Sequence, residues 1–159
     1  MSDHGMSDVE WLVAIEQIRQ LKARRDRALD RKDWDAFRAT HWPEHISETT
    51  GSTTTLDETI TFLDSGLRLV DTTHHSHSPE ITFSSATEAK GIWMMEDMLY
   101  WNQGEEAHWL HGYGYYHETY QKRDGEWRVI HRSLERSHVH LSPGATLSDH
   151  SSHTPRPNA

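Results

Sequence analysis

The feature that most constrains this chain is a change of periodicity partway along it. Up to about Leu67 the apolar residues recur at helical steps. After Asp71 they alternate at a period of two. Ser7-Asp8-Val9-Glu10 has the form of a capping box. Behind it Trp11, Ile15, Ile18, Leu21, Ala28 and Leu29 form one apolar stripe, which predicts a helix to about Leu29. Asp33 can cap a second short helix holding Trp34, Phe37 and His41, with Pro43 marking its end. Ile46 to Thr54, centred on Gly51, fits a small hairpin. Thr55-Leu56-Asp57-Glu58 is a second capping box, opening a helix with Ile60, Leu63 and Leu67 inside.

Strands follow. Ile81 and Phe83 alternate with Thr82 and Ser84, and Trp93, Met95, Leu99 and Trp101 share one face with Asp97. Trp109 to Tyr120 is an aromatic strand in which Gly112 and Gly114 permit curvature or a bulge. Asp124-Gly125 is a tight-turn pair leading into a last strand to about Val139, with Ile130, Leu134 and Arg136 on one face. Helices first and long antiparallel strands last describe an α+β domain in which a curved, cone-shaped sheet wraps around N-terminal helices and encloses a pocket. The expected organisation is a flexible leader over 1–6, one domain over 7–140 and a flexible polar tail over 141–159, the last carrying His150 and His153.

Composition excludes several classes of function. Sixteen Lys+Arg against twenty-five Asp+Glu leave a net charge of −9, which argues against binding nucleic acid. The absence of cysteine removes disulfides, thiol nucleophiles and cysteine metal sites. A mean hydropathy of −0.85 with no long apolar run argues against a membrane span, and no signal-peptide core precedes Val9, so the expectation is a cytoplasmic protein. Fourteen histidines are the odd component.

Four ionisable residues stand where the pattern asks for apolar or terminal ones: Arg25, Asp30, Asp97 and Arg136. His74 opens the strand run. Each has a bland alternative. Arg25 can snorkel at the stripe's edge, Asp30 can be a turn residue, Asp97 can sit on a bulge, and Arg136 can bridge an exposed carboxylate. Several inward charges together imply mutual pairing or a ligand. His74-His75-Ser76-His77 invites a metal reading, with His75 and His77 on one side of the strand and His74 on the other. No HExxH motif, cysteine or carboxylate two residues along supports it, so the expectation is no metal and no organic cofactor. The alternative is one histidine facing the pocket as a base and its neighbours facing water.

The stretches Ala28 to Trp34, Thr73 to Ile81, Gly91 to Asp97 and Asp124 to Arg128 together resemble the SnoaL-like branch of the nuclear transport factor 2-like superfamily. The resemblance covers roughly residues 9 to 140. Within that branch the chain looks most like the bile acid 7α-dehydratases. The resemblance implies a catalytic dyad of Asp30 and His74, a second pocket aspartate at Asp97 and a pocket arginine at Arg136. Arg25 stands where those dehydratases have a tyrosine, which favours a carboxylate or a strong enolate clamp over a steroid 3-oxo group. Trp34, Trp93, Tyr113 and Tyr115 are the expected contacts for a small hydrophobic, ring-shaped substrate. The implied activity is a cofactor-independent lyase that dehydrates a hydroxylated carbonyl compound through an enolate. The alternatives are a ketosteroid-type isomerase, a non-catalytic binding or oligomerisation module, and a metal-dependent activity. The open sheet leads to the expectation of a homodimer or homotrimer.

Overall fold

The computed structural model describes residues 5–49 and 51–145. Three helices and six strands follow in the order α1 (Asp8–Asp30), α2 (Trp34–Ala39), β1 (His41–Glu48), β2 (Thr54–Thr55), α3 (Leu56–Leu67), β3 (Asp71–Ser85), β4 (Glu88–Gln103), β5 (Glu106–Arg123) and β6 (Glu126–Leu141). They form an α+β fold around one six-stranded curved sheet of order β2-β1-β6-β5-β4-β3, with the helices on its inner face. Both capping boxes form: Ser7 accepts from the Glu10 N–H and Thr55 from the Glu58 N–H, each answered by the glutamate's carboxylate. Asp124 and Gly125 take φ of 51° and 84°, the two positive values of a type I′ turn, and so the β5–β6 connection is as short as the sequence predicts.

The main core lies between α1 and the sheet, where Ile18 and Leu21 meet Trp93, Met95, Tyr116, Tyr120 and Val129. A second cluster, built on Leu29, Phe37 and Leu56, joins the helices to one another.

Four sequence expectations need correction. The second helix stops at Ala39, because Thr40 caps it and His41 enters β1, which runs parallel to β6. Pro43 falls at the irregularity in that pairing, where a missing N–H costs no ladder bond. Ile130 is the extra residue of a bulge between β5 and β6, so Val129 and Arg132 take the buried places beside Leu134 and Arg136. Met6, expected in a flexible leader, is buried in the main core. Leu141 still belongs to β6, and Ser142 is buried with its Oγ accepting the Trp109 N–H at 3.1 Å. His150 and His153 lie outside the described residues.

Candidate active site

The last residue of α1 and the start of β3 meet at Asp30 and His74. Since β3 is an edge strand, one row of its backbone donors has no strand to bond, and Asp30 takes one of them. Its Oδ2 accepts the His74 N–H at 3.0 Å, and its Oδ1 accepts from the Thr72 hydroxyl at 3.0 Å. The same Oδ1 lies 2.6 Å from His74 Nδ1. Burial alone would raise the Asp30 carboxyl, but the His74 and Thr72 hydrogen bonds outweigh it and hold the group below its usual range. An ionised carboxylate only accepts, so Nδ1 carries its proton and Nε2 is the nitrogen left to act as base. The His74 side chain is 9% exposed and that of Asp30 22%, so the pair is partly shielded from water.

Directly opposite His74 on β4 is Asp97, on the same inner face. Asp97 is gripped by both terminal nitrogens of Arg136, one at 2.8 Å and the other closer. Burial would lower the arginine, but the Asp97 carboxylate beside it more than compensates and raises it. The guanidinium reaches from β6 to β4 across β5 only because position 112 is glycine. A Cβ there would stand 1.9 Å from Arg136 Nη1 and 2.2 Å from Asp97 Oδ1. Arg136, expected as a pocket arginine, therefore has two of its donors committed to Asp97.

Alongside runs a buried charge cluster that the sequence reading missed. Ile18, Lys22, Asp26 and Asp30 succeed one another at four-residue steps, so one row of α1 points at the sheet. Lys22 Nζ lies 2.6 Å from Glu118 Oε1 and 3.6 Å from Asp26 Oδ1. Ser76 donates to Asp26 Oδ2 at 2.6 Å, and Arg132 Nε lies 3.1 Å from Glu118 Oε1. Burial pushes the Lys22 ammonium down to about 8 against the pull of Asp26 and Glu118. For Glu118 burial works upward, but Lys22, Arg25 and Arg132 together hold it far below the ordinary carboxylate range. Tyr120 donates its hydroxyl to Glu118, and the Arg132 guanidinium lies 3.8 Å from the centre of the Tyr116 ring.

Arg25 belongs to this cluster and does not snorkel. It is 1% exposed, with Nη1 3.2 Å from Asp26 Oδ1 and Nε donating to His41 Nε2 at 3.2 Å. His41 Nδ1 faces the Phe37 carbonyl at 2.8 Å, so the proton sits on Nδ1 and Nε2 accepts. Burial and the neighbouring Arg25 and His45 keep His41 well below its ordinary value, hence neutral.

The expected aromatic contacts divide. Trp93 is buried on the inner face and its indole N–H donates to the Tyr120 hydroxyl at 2.9 Å. Trp34 gives its indole N–H to Asp64 and packs on the helical cluster, tying α2 to α3. Tyr113 and Tyr115 face the wrong way for a pocket. They stand opposite Glu96 and Met94, whereas Gly112, Gly114 and Tyr116 stand opposite Asp97, Met95 and Trp93 on the inner face. The two glycines hide that parity, because Tyr113 and Tyr115 beside them resemble the apolar row. A groove of about 640 Å³ elsewhere, between α1, α2 and the β5–β6 turn, includes neither Asp30 nor His74; Arg24, Arg27, Arg31 and Arg128 give it a cationic rim. The convergence of Asp30, His74, Asp97 and Arg136, rather than that groove, identifies the candidate site.

Similar architectures occur among solved structures. One is a candidate scytalone dehydratase from Novosphingobium aromaticivorans DSM 12444, at 20% identity and a TM-score of 0.76, covering 96% of this chain and 99% of that one. Another is the type 3 hexachlorocyclohexane dehydrochlorinase from Novosphingobium barchaimii LL02, at 19% identity and a TM-score of 0.74, covering 89% and 99%. A protein of unknown function from Mycobacterium tuberculosis matches at 21% identity and a TM-score of 0.69, covering 83% and 77%. At these identities the likeness is one of fold. The family follows from the sequence itself: residues 10–133 match the SnoaL-like domain, and the chain belongs to the SnoaL-like family of the nuclear transport factor 2-like superfamily.

Proposed function

We propose that this chain is a cofactor-independent lyase acting on a small hydrophobic, hydroxylated carbonyl compound, with His74 as the base and Asp30 as the residue that orients it. The observation that carries the reading is the Asp30–His74 pair at 2.6 Å, with the histidine 9% and the aspartate 22% exposed and the tautomer set by the carboxylate. His74 Nε2 takes a proton from the carbon next to the carbonyl, and the C–H electron pair moves into an enolate. The enolate then re-forms the carbonyl as the β C–O bond breaks, and the departing hydroxide takes the proton from His74 and leaves as water. The names of two structural neighbours, a dehydratase and a dehydrochlorinase, are both those of elimination catalysts, which supports an elimination.

In this reading Asp97 holds the pocket wall beside His74, and Arg136 fixes Asp97 in place. Arg25 acts through its charge, which favours the developing enolate, rather than by contact. Trp93 supplies an apolar surface for a ring-shaped substrate. Return of the proton to another carbon would make the same site an isomerase. A homodimer or homotrimer in the cytoplasm completes the reading, and light scattering on the purified chain tests the assembly. Among the described residues no helix is long and apolar enough to cross a membrane.

The test is a panel of steroid and aromatic β-hydroxy carbonyl compounds, offered to wild type and His74→Ala. Water loss by wild type alone is the expected result. Equal turnover by a folded His74→Ala would remove His74 as the base, and no turnover by wild type on any compound would favour a binding module.

A further inference from the structure

The face of the sheet turned away from the helices carries a second histidine–carboxylate group. His75 and His77 are two residues apart on β3, and Glu96 on β4 stands directly opposite His75. The sequence offers these histidines no carboxylate two residues along their own strand; Glu96 comes from the neighbouring one. His75 Nδ1 lies 2.9 Å from Glu96 Oε1 and His77 Nε2 lies 3.7 Å from the same atom. The three donor atoms all fall within 4.8 Å of one another. Two donors at roughly 2.0–2.2 Å from a tetrahedral ion are about 3.3–3.6 Å apart, so side-chain rotation alone closes this set on an ion.

Two details separate this group from a chance surface pair. The two imidazole rings do not stack: their planes are 60° apart with centroids 5.6 Å apart, leaving ring edges free to converge. The strand breaks register just after His77, with Ser78 at φ 40°, and such bulges re-aim the neighbouring side chain. All three side chains remain open to solvent, at 43%, 52% and 35% exposure, so an ion has a way in.

We propose that His75, His77 and Glu96 form a binding site for one divalent transition-metal ion on the outer face of β3 and β4. Two imidazoles and one carboxylate suit a borderline ion such as Zn²⁺ and not Mg²⁺ or Ca²⁺, which prefer all-oxygen sets. The ion keeps at least one coordination position for water or another donor. It also ties the edge strand to its neighbour immediately beside His74, which faces the other way.

The experiment is calorimetric titration of the full chain with ZnCl2 and with MgCl2, paired with thermal melts. One Zn²⁺ site per chain is expected, with a rise in Tm on Zn²⁺ and none on Mg²⁺. His77→Ala and Glu96→Gln each weaken that site by at least about tenfold and abolish the Tm rise. His117→Ala, whose ring pairs with Glu135 at 3.1 Å on the same face, leaves both unchanged. Zn²⁺ binding that survives both ligand variants at full strength overturns the proposal, because other histidines then hold the ion. Absence of Zn²⁺ binding by wild type overturns it equally.

Discussion

His74 and His75 are adjacent, and each brings Nδ1 to a carboxylate, at 2.6 and 2.9 Å. The first pair lies between helix and sheet with its histidine 9% exposed, and the second lies on the open face with its histidine 43% exposed. The alternation of a strand alone sends them to opposite sides. In the half-buried pair the carboxylate competes with less water, and it dictates the imidazole's tautomer. In the wet pair the same chemistry is exchangeable, and a metal ion can displace the hydrogen bond. Burial, not residue type, separates the proposed general base from the proposed ligand set.

The largest expected effect falls on the inner pair. Asp30→Asn keeps the side chain's size but offers His74 an amide in place of an anion. It should lower kcat/KM by about 10²–10⁴ on any substrate that wild type eliminates. Little loss there would mean that the carboxylate serves the fold alone. The second contrast is in stability: Glu118→Gln leaves Lys22, Arg25 and Arg132 buried with no full counter-charge beyond Asp26. It should cost about 3–5 kcal/mol in urea unfolding, whereas His117→Ala, next door but facing out, should leave the midpoint unchanged. Equal midpoints for the two would break the inner–outer distinction. A third expectation concerns Gly112→Ala, whose Cβ collides with the Asp97–Arg136 bridge; the cost is about 1–3 kcal/mol by the same measurement.

The smallest effect is in acid. Asp30 and Glu118 ionise lower in the folded chain than in the unfolded one. The stability they contribute is fully present above the unfolded values, about 3.9–4.3. Below them the unfolded chain takes up protons first, and that stability is lost as pH falls toward the folded values. Tm should therefore drop below about pH 4, less steeply in Glu118→Gln. Identical slopes would remove Glu118 from the account.

Much of the frame was legible residue by residue. Ser7/Glu10 and Thr55/Glu58 mark helix starts because capping is a contact between residues three apart. Asp124-Gly125 marks its turn because few residues accept positive φ. The row Trp93, Met95, Asp97 was readable on β4 because that strand alternates without interruption. Reading failed where a strand does not: Ile130 was placed inside although a bulge displaces it, and Tyr113 and Tyr115 were placed in the pocket because glycines occupied the true inner positions.

The histidine count shows the same division. Among the described residues seven histidines (75, 77, 111, 117, 131, 138 and 140) fall on the outer face by register, against His74 and His108 on the inner face and the buried His41 and His45 of β1. By itself the sequence determined the order of helices and strands, their caps and turns, and the inward placement of Asp97, since periodicity and capping act within a segment. Only the tertiary structure decided the partners. Lys22 and Glu118 are 96 residues apart, Asp30 and His74 44, and Arg136 meets Asp97 across a strand with a glycine at the crossing. Such pairs depend on register, and register is set by bulges and packing that no local pattern records.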